Sequence, residues 1–177
     1  MSSNTVELSI NGENVEEFVD PMETLQSVLR ERLGKTATKV GCKQGGCGSC
    51  TVLVDGEPVV SCLLPVEAAV DKEITTLEGI YQGDDLHPLQ EAFDEHFAMQ
   101  CGYCTPGMII TAKALLDRNP DPSRTEIEEA ISGNICRCTG YDPIVDAVQA
   151  AAETMNGGHA TDGGGPAAEG ANAGGGD

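Results

Sequence analysis

The stretch Gln100-Cys101-Gly102-Tyr103-Cys104-Thr105-Pro106-Gly107 constrains this chain more than any other. Its Cys-x2-Cys pair is half of a four-thiolate site, and the other half follows in Ile135-Cys136-Arg137-Cys138. Apolar residues around both pairs recur at helical spacing: Leu89, Ala92, Phe93 and Phe97, then Ile109, Ala112 and Leu116, then Ile127, Ala130 and Ile131. Proline marks helix starts at His87-Pro88, Thr105-Pro106 and Asp142-Pro143, with Thr105 and Asp142 as N-cap types. Four helices running up and down place their first and third connections at one end of a bundle. Cys101, Cys104, Cys136 and Cys138 then converge there as ligands for zinc or an iron–sulfur cluster.

The first half of the chain reads differently. Val6, Leu8 and Ile10 alternate with polar residues as a half-buried strand, Asn11-Gly12 turns, and Asn14 to Val19 returns. Asp20-Pro21-Met22-Glu23 reads as a helix start capped by Asp20, and Leu25, Val28, Leu29 and Leu33 form a buried stripe that Gly34 ends. Two strands, a helix, a glycine-rich loop and a second hairpin make a β-grasp pattern. The loop carries Cys42, Cys47 and Cys50 at Cys-x4-Cys-x2-Cys spacing, the plant-type [2Fe–2S] signature. Its glycines, Gly45 and Gly46 among them, let a loop aim N–H groups at sulfur without strain. Strand Thr51–Val54, the turn Asp55-Gly56 and a return strand bring Cys62 back beside Cys50 as fourth ligand, with zinc as the alternative occupant. Ile74 and Leu77 close this unit.

A chain of 177 residues holds one mid-sized domain or two small ones, and two small cores profit from metal staples. The reading is α+β: residues 1–78 as a ferredoxin-like β-grasp domain, 79–155 as an all-α four-helix domain, and 156–177 as a disordered Gly/Ala/Asp-rich tail. Eight cysteines without a secretory signal pattern point to metal binding in the cytoplasm rather than to disulfides. They complete two sites without His87, His96 or His159, which read as surface or helix-end residues. A formal charge of −19 excludes nucleic acid as a partner, and no apolar run reaches membrane-spanning length. Acidic residues spread along the whole chain fit a halophilic cytoplasm, or an ordinary acidic protein.

Spacing alone leaves the second site open between zinc and iron–sulfur. Two long blocks narrow it: Gln100-Cys-Gly-Tyr-Cys-Thr-Pro-Gly-Met108-Ile109, and Ser132-Gly-Asn-Ile-Cys-Arg-Cys-Thr-Gly-Tyr141. Both resemble the small iron–sulfur subunit of the molybdenum hydroxylases, the group of xanthine dehydrogenase, aldehyde oxidoreductases and aerobic carbon monoxide dehydrogenase. The resemblance implies two [2Fe–2S] clusters in an electron path. Electrons would come from molybdopterin on a large subunit and pass through the helical-domain cluster, then the ferredoxin-like one. They would end at FAD on a medium subunit, in a dimer of heterotrimers. It also implies that Gln100 and Cys138 lie against the pterin, and that the loop with Gly45 and Gly46 faces the flavin. Lys43 and Ser49 depart from the family, which often carries an acidic residue and Ala there. Tyr103 and Tyr141 either shield the second site from water or simply pack. A free-standing two-cluster ferredoxin and a non-redox zinc module are the alternatives.

Two outcomes follow from composition. Deleting 157–177 should leave bound iron and the thermal midpoint nearly unchanged, because the segment has little apolar surface to bury. Lowering salt should destabilise the chain, since screening that reaches only about 3 Å at 1 M lengthens on dilution and like charges then repel. A thermal midpoint flat across salt would contradict the halophilic reading.

Overall fold

The computed structural model describes residues 4–81 and 85–157. Strands β1 (Asn4–Ile10) and β2 (Glu13–Val19) pair antiparallel across Asn11 and Gly12, whose φ values of 55° and 79° give the turn that matches strand twist. β3 (Thr51–Val54) and β4 (Glu57–Val60) form the second hairpin, and β5 (Glu73–Thr75) lies between the two. The order is β2-β1-β5-β3-β4, with β1 and β5 parallel and the other pairs antiparallel. β2 is an edge strand that exposes Glu13, Asn14 and Glu16, and its charges discourage pairing with another chain.

The first helix starts later than the sequence suggests. Thr24, not Asp20, caps α1 (Leu25–Ser27), its hydroxyl accepting from Ser27 N–H at 3.3 Å. Asp20 to Glu23 closes a separate turn. Glu23 N–H donates to the Asp20 carbonyl, the Glu23 carboxylate accepts from Asp20 N–H, and Met22 takes φ 63°. α1 then widens into a π-helical stretch, Val28–Arg32, where Leu33 N–H reaches back to the Val28 carbonyl at 3.1 Å. Leu25, Val28 and Leu29 are buried under the sheet as expected, with Leu33 half-buried beside them.

The helices α2 (Pro88–Glu95), α3 (Thr105–Arg118), α4 (Arg124–Ile131) and α5 (Asp142–Met155) build a second core. Phe93 is its one buried phenylalanine. Phe97, expected on the same stripe, is instead 80% exposed. The helix ends at His96, Phe97 turns left-handed at φ 52°, and Ala98 N–H bonds back to the Phe93 carbonyl, so Ala98 takes the buried place. Thr105 and Asp142 are first helical residues rather than caps; Cys104 and Tyr141 precede them. The sequence offers two capping-box spacings for α4, Ser123 with Glu126 or Thr125 with Glu128; the first forms, and Arg124 ties α4 to Asp142 and Asp146 of α5.

The two cores meet at β3. Val52 and Val54 belong to the first, while Leu53 packs among the helices, as does Leu77, expected in the first unit. All four residues of β3 are therefore buried. At the far end Asn156, expected to begin the tail, closes α5 and donates to the Pro120 carbonyl at 2.6 Å. The expected tail from 158 on, His159 and linker residues 82–84 lie outside the described residues.

His87 is a helix-end residue with a defined task. Its Nδ1 accepts from Leu89 N–H at 3.2 Å while Gln90 Oε1 accepts from His87 N–H, a capping box built on histidine. Burial, followed by the nearby Lys113, lowers its pKa below the usual value. The folded state thus prefers the neutral ring, so this contribution is complete above the unfolded pKa of about 6.5 and is lost as pH falls through the lower folded value. Thermal midpoints measured against pH should drop over that range in the native chain, and His87→Asn, which keeps a cap, should flatten the drop.

Candidate metal centres

The first loop is held from three sides. Gln26 Nε2 donates to the Lys39 carbonyl at 2.6 Å, Arg30 to that of Thr36 at 2.7 Å, and the Tyr103 hydroxyl to that of Val40 at 2.6 Å. Cys42 and Cys47 of this loop are half-buried, while its Cys50 and the later Cys62 are only 2% and 7% exposed. Cys62 returns beside Cys50 as its strand geometry implied: Ser61 N–H and hydroxyl both donate to the Cys50 carbonyl, at 3.4 and 2.7 Å. Gln44 N–H points at Cys42 Sγ from 3.4 Å and, with the Cys47 thiol, lowers the Cys42 pKa to about 7. Burial pushes Cys50 up to about 11.

The second site has the same division. Cys101 and Cys138 are exposed, with Sγ atoms 3.6 Å apart; Cys104 is buried and Cys136 half-buried. Burial and then the Cys136 thiol push Cys104 up to about 12. Burial also acts to raise Cys136, but the Thr139 hydroxyl, 3.2 Å from its sulfur, and backbone N–H groups bring it below the usual value. The neighbouring Cys101 thiol raises Cys138. Tyr141 does more than pack: its hydroxyl accepts from Cys136 N–H at 3.0 Å and donates to the Asn134 carbonyl at 3.3 Å.

These donors fit iron–sulfur ligation. A separation of 3.6 Å is far beyond a disulfide bond but close to the roughly 3.8 Å between two thiolates on one tetrahedral metal with 2.3 Å bonds. Among the described residues, no three His, Cys, Asp or Glu side chains gather tightly enough to hold a single ion. A [2Fe–2S] centre takes four thiolates, two on each iron, and each cysteine set supplies four. Gln100 is exposed next to Cys101; Gly45 is half-buried against Leu63, and Gly46 is exposed.

Sequence reasoning missed what joins the sites. The Gly48 carbonyl accepts from Thr51 N–H, the Thr51 hydroxyl and buried Asn134 Nδ2, at 3.1, 2.7 and 3.0 Å. Thr111 donates to Asn134 Oδ1 at 3.0 Å, and Ile135 N–H donates to the Cys47 carbonyl at 2.9 Å. Gly107, in the first turn of α3, lies so near that a Cβ there would collide with the Gly48 carbonyl oxygen. Gly48 has φ +69°, and a Cβ on it would stand 2.6 Å from both Asn134 Nδ2 and the Gly133 carbonyl oxygen. The glycines and Asn134 stand inside the motifs, but their partners lie in the other motif, so spacing carries no signal of them.

Two family models cover most of the chain: a 2Fe-2S iron-sulfur cluster binding domain at residues 8–77 and a [2Fe-2S] binding domain at 76–149. The nicotinate dehydrogenase small FeS subunit of Eubacterium barkeri is 49% identical over 153 residues, 86% of this chain and 98% of that one. The chain belongs to the small iron–sulfur subunits of the molybdenum hydroxylases. The crystal structure of quinoline 2-oxidoreductase from Pseudomonas putida 86 contains a chain like this small subunit, with a TM-score of 0.84, 47% identity, and coverage of 88% of this chain and 98% of that one. Aldehyde oxidoreductase of Megalodesulfovibrio gigas is 48% identical over 85% of this chain, which spans only 17% of that protein's length. The α+β fold, the oxidoreductase assignment and the electron-transfer role of a two-cluster subunit stand with this membership.

Gly107→Ala should separate the two loops. Overpacking of this kind costs about 1–3 kcal/mol, read as a lower midpoint in thermal unfolding of the assembled subunit. An unchanged midpoint would mean that the contact yields freely.

Proposed function

We propose that Cys42, Cys47, Cys50 and Cys62 hold one [2Fe–2S] cluster and Cys101, Cys104, Cys136 and Cys138 the other. The subunit then relays electrons from molybdopterin on a large partner to FAD on a medium partner, in a dimer of heterotrimers in the cytoplasm. The observation that carries this reading is the inner and outer division of each cysteine set. Each site keeps two thiols nearer the core and two nearer the surface, so each offers one side to an outside partner.

Each bound cluster supplies a one-electron redox centre. The chain's own residues do the rest. N–H groups such as that of Gln44 favour negative charge on sulfur, and the hydroxyl of Thr139 does the same at Cys136. Exposed Gln100 and Cys138 supply the pterin side, next to exposed Phe97 and Met99. Gly45, with exposed Leu63 against it, and Gly46 supply the flavin side. Among the described residues no helix is long and apolar enough to cross a membrane.

The purified subunit should contain four iron and four acid-labile sulfide per chain and no stoichiometric zinc; one zinc per chain after anaerobic preparation would contradict the ligand assignment. In the assembled complex, Cys47→Ser should let substrate electrons reach the second site while FAD stays oxidised. Cys104→Ser should leave both the first site and FAD oxidised. Rapid mixing with substrate, followed by flavin absorbance and low-temperature paramagnetic resonance, reads each case. Normal flavin reduction in a Cys104→Ser complex lacking its second cluster would overturn the order.

A further inference from the structure

We infer that the Thr139 hydroxyl raises the redox potential of the second site by giving its one proton to the Cys136 sulfur. The inference rests on the ligand sets proposed above. Thr139 Oγ1 lies 3.2 Å from Cys136 Sγ, within hydrogen-bond reach. A ligating thiolate carries no proton, so between these two atoms only the hydroxyl can donate. Tyr141 N–H donates to the same oxygen from 3.3 Å. That occupies one lone pair and leaves the hydroxyl proton free to turn toward sulfur.

The turn after Thr139 holds this oxygen in place. Gly140 and Tyr141 are both left-handed, at φ 76° and 74°, a conformation that is strained for a tyrosine. It brings Tyr141 N–H back onto Thr139, while the Tyr141 hydroxyl meets Cys136 N–H and the Asn134 carbonyl. Cys136, Thr139 and Tyr141 are all half-buried, so the bond is electrostatically stronger than it would be in open water. Ser61 makes the contrast at the first site. Its proton goes to the Cys50 carbonyl at 2.7 Å rather than to sulfur.

One-electron reduction of the second site makes and breaks no bond, and the Thr139 proton stays on its oxygen. The electron comes from the substrate-reduced large partner. It adds negative charge that spreads onto the ligating sulfurs, so a donor aimed at Cys136 favours the reduced form and raises the potential. Backbone N–H groups of Cys138 and Thr139 act on the same sulfur, but they are present whatever the side chain. The hydroxyl is the part that a substitution can remove. Its effect is to draw the electron off the large partner and to make the next step, to the first site, less downhill.

The test uses the assembled complex, held at a series of poised potentials while paramagnetic resonance reads each site. Thr139→Val keeps the branched shape and deletes the hydroxyl, whereas Thr139→Ser keeps the hydroxyl. With full iron in both, Thr139→Val should move the second-site potential to a more negative value and leave the first unchanged. Thr139→Ser should match the native complex. After rapid reduction by substrate, the valine variant should hold a smaller share of its electrons on the second site. In deuterated water, pulsed resonance should show it to lack one exchangeable proton that the native second site has. An unchanged second-site potential in Thr139→Val, or a serine variant that behaves like valine, would overturn the inference. Thr139→Ala, which adds no bulk, takes the place of a valine variant that fails to assemble. Loss of the second cluster in both would mean that the hydroxyl builds the site rather than tunes it, and would overturn the inference too. The ligand reading fails by a different result, full iron retained in Cys136→Ala.

Discussion

The carbonyl of Gly48 is the point on which the two halves of the subunit depend. Three donors converge on it, and only one, Asn134, comes from the helical half. That contact is possible because Gly48 and Gly107 both lack a side chain where the backbones approach. A buried amide left without its partners costs about 1–3 kcal/mol, so Asn134 favours the docked arrangement and penalises others. Gly48 is followed by Ser49 and then Cys50, and only Ile135 separates Asn134 from Cys136, so the docking contact and the sulfur cages share the same short segments. Docking and cage geometry are one constraint.

Much of this is legible in the amino-acid sequence. The Asn11-Gly12 turn, the stripe of Leu25, Val28 and Leu29, the Ser123 capping box and the return of Cys62 to Cys50 all rest on contacts within one element or between neighbours. What escapes such a reading is governed by partners distant in sequence or by local alternatives of nearly equal merit. Asp20 and Glu23 have capping-box chemistry, but they close a turn that hands the cap to Thr24. Phe97 has the right spacing for the core, yet the helix must end before Cys101, and the left-handed residue at its end points outward. Leu77 follows the last strand in sequence but packs with the helices that come after it.

The cysteine sets show why thiol geometry matters more than cysteine count. In each site burial disfavours charge on an inner sulfur, Cys50 or Cys104, while hydrogen-bond donors favour it on Cys42 and Cys136. An uncharged inner thiol lets the core close without carrying an isolated buried charge, which would be strongly destabilising. On the ligand sets proposed above, metal binding would displace protons from Cys50 and Cys104 and supply the positive charge that makes their thiolates tolerable. Those ligand sets would couple folding to cluster assembly through the same buried sulfurs.

The ion pairs seen among the described residues lie outside the cysteine motifs. The paired cations serve the scaffold; among them Arg32 meets Asp20 and Glu23, Lys72 meets Asp55, and Arg124 meets Asp142, Asp146 and Glu128. These pairs are mostly exposed, so each adds little to stability, a median of about 0–1 kcal/mol. Lys43 and Arg137 stand beside cysteines in the sequence, but the hydrogen bonds that reach sulfur come from the Gln44 N–H and the Thr139 hydroxyl. Fixed backbone dipoles lose far less to salt screening than exposed ion pairs do. In a chain with a formal charge of −19, these short hydrogen bonds to sulfur are therefore less sensitive to ionic conditions than the exposed ion pairs are.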